Sequence, residues 1–183
     1  MRLLDAAAML VLVFVSAPVA FAADRPYAGQ QTRPIKALSD DERADYMEGR
    51  GMGLSKVAEL NHYPGPRHVL DEAGTLGLSA EQLAKTRSIW TAMDAKARAL
   101  GASIVAREAT LEAMYAMGSA TPADTRAAID ELARLQADLR YTHLSAHLAM
   151  RSLLSADQIA KYDELRGYSD ATADPADHHR MHH

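Results

Sequence analysis

His143 and His147 stand four residues apart in a stretch that reads as helix, so their imidazoles project from one face about one turn apart. Neutral imidazoles at that spacing can chelate a divalent metal, as in zinc sites built on helices. Met150 lies one turn further along the same edge and would add a thioether. The competing reading is a pair of half-buried histidines beside a helical seam. A second cluster closes the chain, where His178, His179, Met181, His182 and His183 follow Asp174 and Asp177. Imidazoles suit zinc, copper and nickel, and a thioether adds preference for Cu(I). No packed core needs this composition, so residues 168–183 read as a disordered His-rich tail, metal-binding or simply solvated. His62 and His68 flank Tyr63-Pro64-Gly65-Pro66, with Met47 and Met52 upstream, and could form a third site. A solvated turn is the preferred reading there.

Other chemistry is poorly represented. No residues suggest a nucleophile, base and acid acting together, and the chain reads as a non-enzyme. Glu108 and Glu112 share a helical face, but Arg107 and Arg134 offer them salt-bridge partners. A net charge of −4 argues against a nucleic-acid partner, which wants a basic surface. With no cysteine there is neither a disulfide nor a thiolate metal site. Gly49, Gly51 and Gly53 invite a phosphate-loop reading, yet no strand precedes them and no Lys-Ser/Thr follows. A helix break or a close approach of two helices is the better account of these glycines.

The elements that must position the histidines are helices, favoured by abundant Ala, Leu, Glu and Arg and few aromatics. Arg2, the apolar run Ala6 to Val15 and Ala20-Phe21-Ala22 read as an export signal cleaved after Ala22. The run is too short to anchor in a bilayer, which takes roughly 20 apolar residues. Residues 23–38 read as a flexible arm, and 39–167 as one helical domain. Ser39-Asp40-Asp41-Glu42 opens a first helix; another runs through Leu54, Val57, Ala58 and Leu60, and a short turn from Arg67 to Ala73 follows. A long helix from Ala80 to about Met117 repeats Leu83, Trp90, Ala97, Ile104 and Leu111 every seven residues, with Met93, Leu100 and Met114 interleaved.

Thr121 and Pro122 start a second long helix with Ala128, Leu132, Leu135, Leu139, Ala146 and Leu153 on one face. So short a connection predicts antiparallel neighbours, which brings the histidine edge opposite Met93 and Asp94. Tyr141, Leu144 and Leu148 lie on the other side of this helix and need cover of their own. The short helices, a second subunit or an unfolded client are the candidates.

One pentapeptide is written twice, Leu78-Ser79-Ala80-Glu81-Gln82 and Leu154-Ser155-Ala156-Asp157-Gln158. Ser79 and Ser155 are N-caps, and Gln82 and Gln158 at N3 can reach back to them. Leu78 with Leu83, and Leu154 with Ile159, form hydrophobic staples. The pair resembles the LTxxQ signature of the Spy/CpxP family and its zinc-resistance and heavy-metal-resistance relatives, with Ser for Thr, over roughly Leu76 to Tyr168. That resemblance implies an all-α fold, a long antiparallel helical hairpin with short flanking helices, and a cradle-like homodimer in the periplasm. It also implies one of two roles: a metal-binding protein of envelope stress that sequesters or senses zinc, copper or nickel, or an ATP-independent holdase for unfolded clients. An envelope sensor is a further partner the family suggests. The family's metal-sensing members use a His-x3-His pair with Met ligands, matched in kind by His143, His147 and Met150, and its zinc binders carry His-rich termini.

Overall fold

Ser39, Ser79 and Ser155 each sit in extended backbone just before a helix. Each hydroxyl accepts from the N–H three residues on, and the Glu or Gln there accepts the serine's own N–H in return. The computed structural model describes residues 25–169. Their helices are α1 (Asp40–Met47), α2 (Lys56–Glu59), α3 (Pro66–Asp71), α4 (Ala80–Ala116), α5 (Pro122–Leu153) and α6 (Ala156–Arg166). A 3-10 turn spans Gln30–Thr32, and no strand occurs among the described residues. The segment expected to direct export and the His-rich tail from residue 170 on lie outside those residues. Tyr168, expected to open the disordered tail, instead packs against the cluster of Val69, Met150 and Tyr162 and donates its N–H to the Asp163 carbonyl at 2.8 Å. No described helix is long and apolar enough to cross a membrane.

The chain divides into two compact units, Met1–Gln31 and Thr32–His183. The described part of the first is a turn in which Ala28 N–H donates to the Arg25 carbonyl at 3.0 Å. The six α-helices belong to the second. There α4 and α5 pack together over Ala97, Ile104, Leu132, Leu135 and Leu139, an apolar cluster whose members recur at the spacing of a helical seam. Tyr115 meets Thr125 beside the connection, Arg107 meets Glu131 further away, and Gln82 reaches the Leu153 carbonyl at the far end. A second cluster joins Val69 of α3, Met150 and Leu154 of the α5 end, and Ile159 and Tyr162 of α6.

α1 crosses α4 at a glycine. Nothing in the local pattern distinguishes Gly101, yet a Cβ there would run into the backbone carbonyl of Tyr46. Gly49, at φ +65°, ends α1 against the same helix, where a Cβ would stand 3.1 Å from the Arg98 nitrogen. Gly49 thus serves a break and a close approach together, whereas Gly51 and Gly53 have open space around them.

Four expectations are corrected. Residues 32–38 are not a free arm: Ile35 is buried, and Lys36 holds Glu112 through both its backbone N–H and its ammonium group. Glu112 therefore pairs with Lys36, while Arg107 takes Glu131 and Arg134 takes Asp138. The helix expected through Leu60 shrinks to Lys56–Glu59, leaving Val57 and Leu60 exposed. The turn Pro64-Gly65-Pro66 is buried rather than solvated. It folds inward because its backbone bonds with α5 and α6, contacts that no local pattern announces.

Candidate metal centre

His143 and His147 face the interior of the second unit, only 4% and 7% exposed. They line a cavity of about 580 Å³ together with Met93 and Asp94 of α4, Met52 of the glycine loop, Glu59 of α2 and Gly65. An i, i+4 pair on α5 places the rings about 6 Å apart along the axis. Met93 and Asp94 border them, as the helical register predicted.

A backbone carbonyl determines which nitrogen of His147 is free. The Tyr63 carbonyl lies 2.7 Å from Nδ1 and can only accept, so Nδ1 carries the proton. Nε2 keeps its lone pair, the arrangement found in metal-ligating histidines whose other nitrogen is anchored. Gly65 leaves room beside the ring: a Cβ there would stand 3.1 Å from Cε1 and 3.4 Å from Nε2. His143 is anchored less. Its Nε2 is buried without a hydrogen-bond partner, a state that costs about 1–3 kcal/mol unless something occupies it. Burial, and then the neighbouring His147, push the His143 pKa below the ordinary histidine range, while Asp94 acts in the opposite direction. The ring is thus neutral at neutral pH, the form that ligates.

A carboxylate network closes one side. Glu59 Oε1 accepts from the Tyr162 hydroxyl and lies 3.5 Å from Arg166 Nε; its Oε2 is 3.6 Å from His147 Nδ1. Tyr162 in turn accepts the Gly65 N–H at 3.2 Å. Burial, then the bond to Glu59, push the Tyr162 phenol above its ordinary range, so it stays a donor. Asp94 is engaged by Arg98 at 2.8 Å. The cavity wall carries five basic side chains, Arg50, Lys56, Arg67, Arg98 and Arg166, against three carboxylates, Glu48, Glu59 and Asp94. Among the described residues, no three His, Cys, Asp or Glu side chains converge well enough to hold an ion.

Other expected site residues separate from this centre. Met150 does share the face of α5 with the histidines, but one turn on that face is roofed by Val69 and Tyr162, and Met150 is fully buried in their cluster. It is a core residue. His178, His179, Met181, His182 and His183 lie outside the described residues. His62 holds Asp163 at 2.7 Å and stands apart from the pair, whereas His68, half-buried on α3, lines the same cavity without forming a convergent set of three with it. Tyr141 and Leu148 are 64% and 53% exposed, with Leu144 half-buried, so the short helices do not cover that stripe. Sequence reasoning missed Glu59, Tyr162 and the Tyr63 carbonyl. Only the Ile159–Tyr162 spacing on α6 hinted that this tyrosine faces inward.

The two capping boxes meet in space. Gln82 Nε2 donates to Gln158 Oε1 at 2.8 Å, and Gln158 Nε2 donates to Gln82 Oε1 at 3.1 Å. Each of these oxygens also accepts the N–H of its own cap, Ser79 or Ser155, at 3.0 Å. Leu78 and Leu154 flank the pair, one half-buried and the other buried beneath it. The repeated motif therefore joins the starts of α4 and α6. What the fold and site define is an all-helical protein with a histidine-lined cavity beside a long helix pair. Comparison with protein-family models, curated proteins and solved structures yields no match to this chain.

Acid should weaken the protein through this site. In the unfolded chain His143 takes up a proton near pH 6.5, whereas the folded chain takes it up at lower pH. Between those values the unfolded state binds more protons, so stability falls as pH drops below about 6.5 and levels off once the folded ring protonates. Burial lowers His68 in the same way. Urea midpoints at a series of pH values should show His143→Leu losing less stability on acidification than the parent. Equal losses would mean that His143 is not held neutral by its surroundings.

Proposed function

We propose that this protein is an exported, periplasmic metal-binding protein of envelope stress that sequesters or senses zinc, copper or nickel, in the manner of the Spy/CpxP-like proteins its paired motifs resemble. The observation that carries this reading is the buried, unpartnered His143 Nε2 beside a His147 whose Nδ1 is tied to a carbonyl. His143 and His147 would hold a cation, which would supply the partner that the His143 Nε2 lacks. In this reading α4 and α5 form an antiparallel hairpin, two copies associate through Tyr141, Leu144 and Leu148, and the His-rich tail adds a looser site. The protein is not an enzyme in this account.

Calorimetric titration of the exported chain with zinc and copper tests it. Two phases are expected, a tighter one from the helical pair and a looser one from the tail, because ordering a flexible segment costs about 1–2 kcal/mol per residue. His143→Ala with His147→Ala should abolish the tighter phase and leave the other. Retention of both phases by that variant would show the pair to be ordinary interior histidines. A second reading, an ATP-independent holdase for unfolded proteins, is favoured by the exposure of Tyr141 and Leu148.

A further inference from the structure

We infer that the cation this cavity takes is soft and monovalent, Cu(I) or its analogue Ag(I), held by His143 and His147 with the thioether of Met93 and with Met52 as a second sulfur donor. This rests on the metal-binding reading above and narrows it to one class of ion.

The inference comes from which donors are still free. Asp94 is held by Arg98, and Glu59 by Tyr162 and Arg166, so the hard oxygen ligands around the histidines are already committed. Zinc favours four ligands in a tetrahedron, commonly built from His, Cys and carboxylate. Those residue types do not converge here. What remains are the imidazoles of His143 and His147, one with a buried, unpartnered Nε2, the more exposed imidazole of His68, and two methionines that line the same cavity. Thioether and imidazole together select Cu(I) over zinc or nickel.

Met93 is not accounted for by packing. It belongs to neither apolar cluster of the second unit, whereas Met150, three residues past His147, is wholly absorbed by one. It lines the cavity beside the two histidines instead. Met52, in left-handed backbone at φ +44°, lines the same cavity.

The test follows methionine methyl signals of the full exported chain, labelled at the ε-carbon, during titration with Ag(I) and, under anaerobic conditions, Cu(I). The Met93 and Met52 methyls should shift at stoichiometric metal, separately from Met181 in the tail. Met93→Leu conserves volume and leaves the fold intact. It should weaken Ag(I) binding at the cavity about tenfold to a hundredfold while leaving zinc affinity unchanged. Ag(I) shifts confined to Met181, or Met93→Leu and Met52→Leu variants that bind Ag(I) as tightly as the parent, would overturn the inference. If the double histidine variant still loses its tighter zinc phase in that case, metal binding stands and only the choice of ion falls. If neither ion binds at the histidine pair, both fall together.

Discussion

Gly101→Ala is expected to destabilise the protein by about 2–3 kcal/mol, although alanine is the better helix former by about 1 kcal/mol. Gly101 is buried in the middle of α4, where α1 passes so close that a Cβ meets the Tyr46 carbonyl. The obstacle is backbone on both sides, so no side chain can turn away to make room. α1 must shift outward, and Tyr46 and Leu54, which pack against the α4–α5 cluster, shift with it. Urea unfolding followed by circular dichroism measures the loss. A gain of about 1 kcal/mol, the propensity effect alone, would mean that α1 does not rest on α4 in solution.

Gln82→Ala should cost about 2–3 kcal/mol, clearly more than the roughly 1 kcal/mol expected for Ser79→Ala or Ser155→Ala. Losing a cap serine removes one local bond. Losing Gln82 removes the return half of its own capping box, the bond to the Leu153 carbonyl and both amide bonds to Gln158. Part of the Gln158 amide is then left with long contacts of 3.4 Å to the Leu76 and Gly77 carbonyls. A double-mutant cycle of Gln82→Ala and Gln158→Ala should give a coupling of about 1–2 kcal/mol. Additive effects, with Gln82→Ala no worse than Ser79→Ala, would reduce the repeated pentapeptide to two independent helix starts.

The contrast between these substitutions marks where local pattern stops. Ser79, Gln82, Ser155 and Gln158 are legible as caps because a capping box lies within four consecutive residues, and its hydrogen bonds need nothing beyond them. The bounds of α4 and α5 are legible for a similar reason: Thr121-Pro122, Gly118 and a seven-residue stride leave few alternatives. His143 and His147 were readable as a pair because helical geometry alone puts them on one face. That Met93 and Asp94 would border them followed from the short connection after α4.

Tertiary structure decided the rest, since each remaining feature depends on residues far apart in sequence. His147 owes its free Nε2 to the Tyr63 carbonyl 84 residues earlier, and the two glutamines that bond each other lie 76 apart. Met150 was placed correctly on its helix face but not in its surroundings, because periodicity gives a direction and says nothing of what stands there. Val69 and Tyr162 stand there, and they make it core. Gly101 looked like one more small residue in a helix until α1 came to lie across it. Residues 23–38 looked free because their composition is poor in apolar groups, and only the proximity of α4 gives Ile35 and Lys36 something to hold. Helix boundaries and faces in this protein come from short-range hydrogen bonding and the 3.6-residue turn, while the state of each buried polar group comes from which partners the packed structure brings to it.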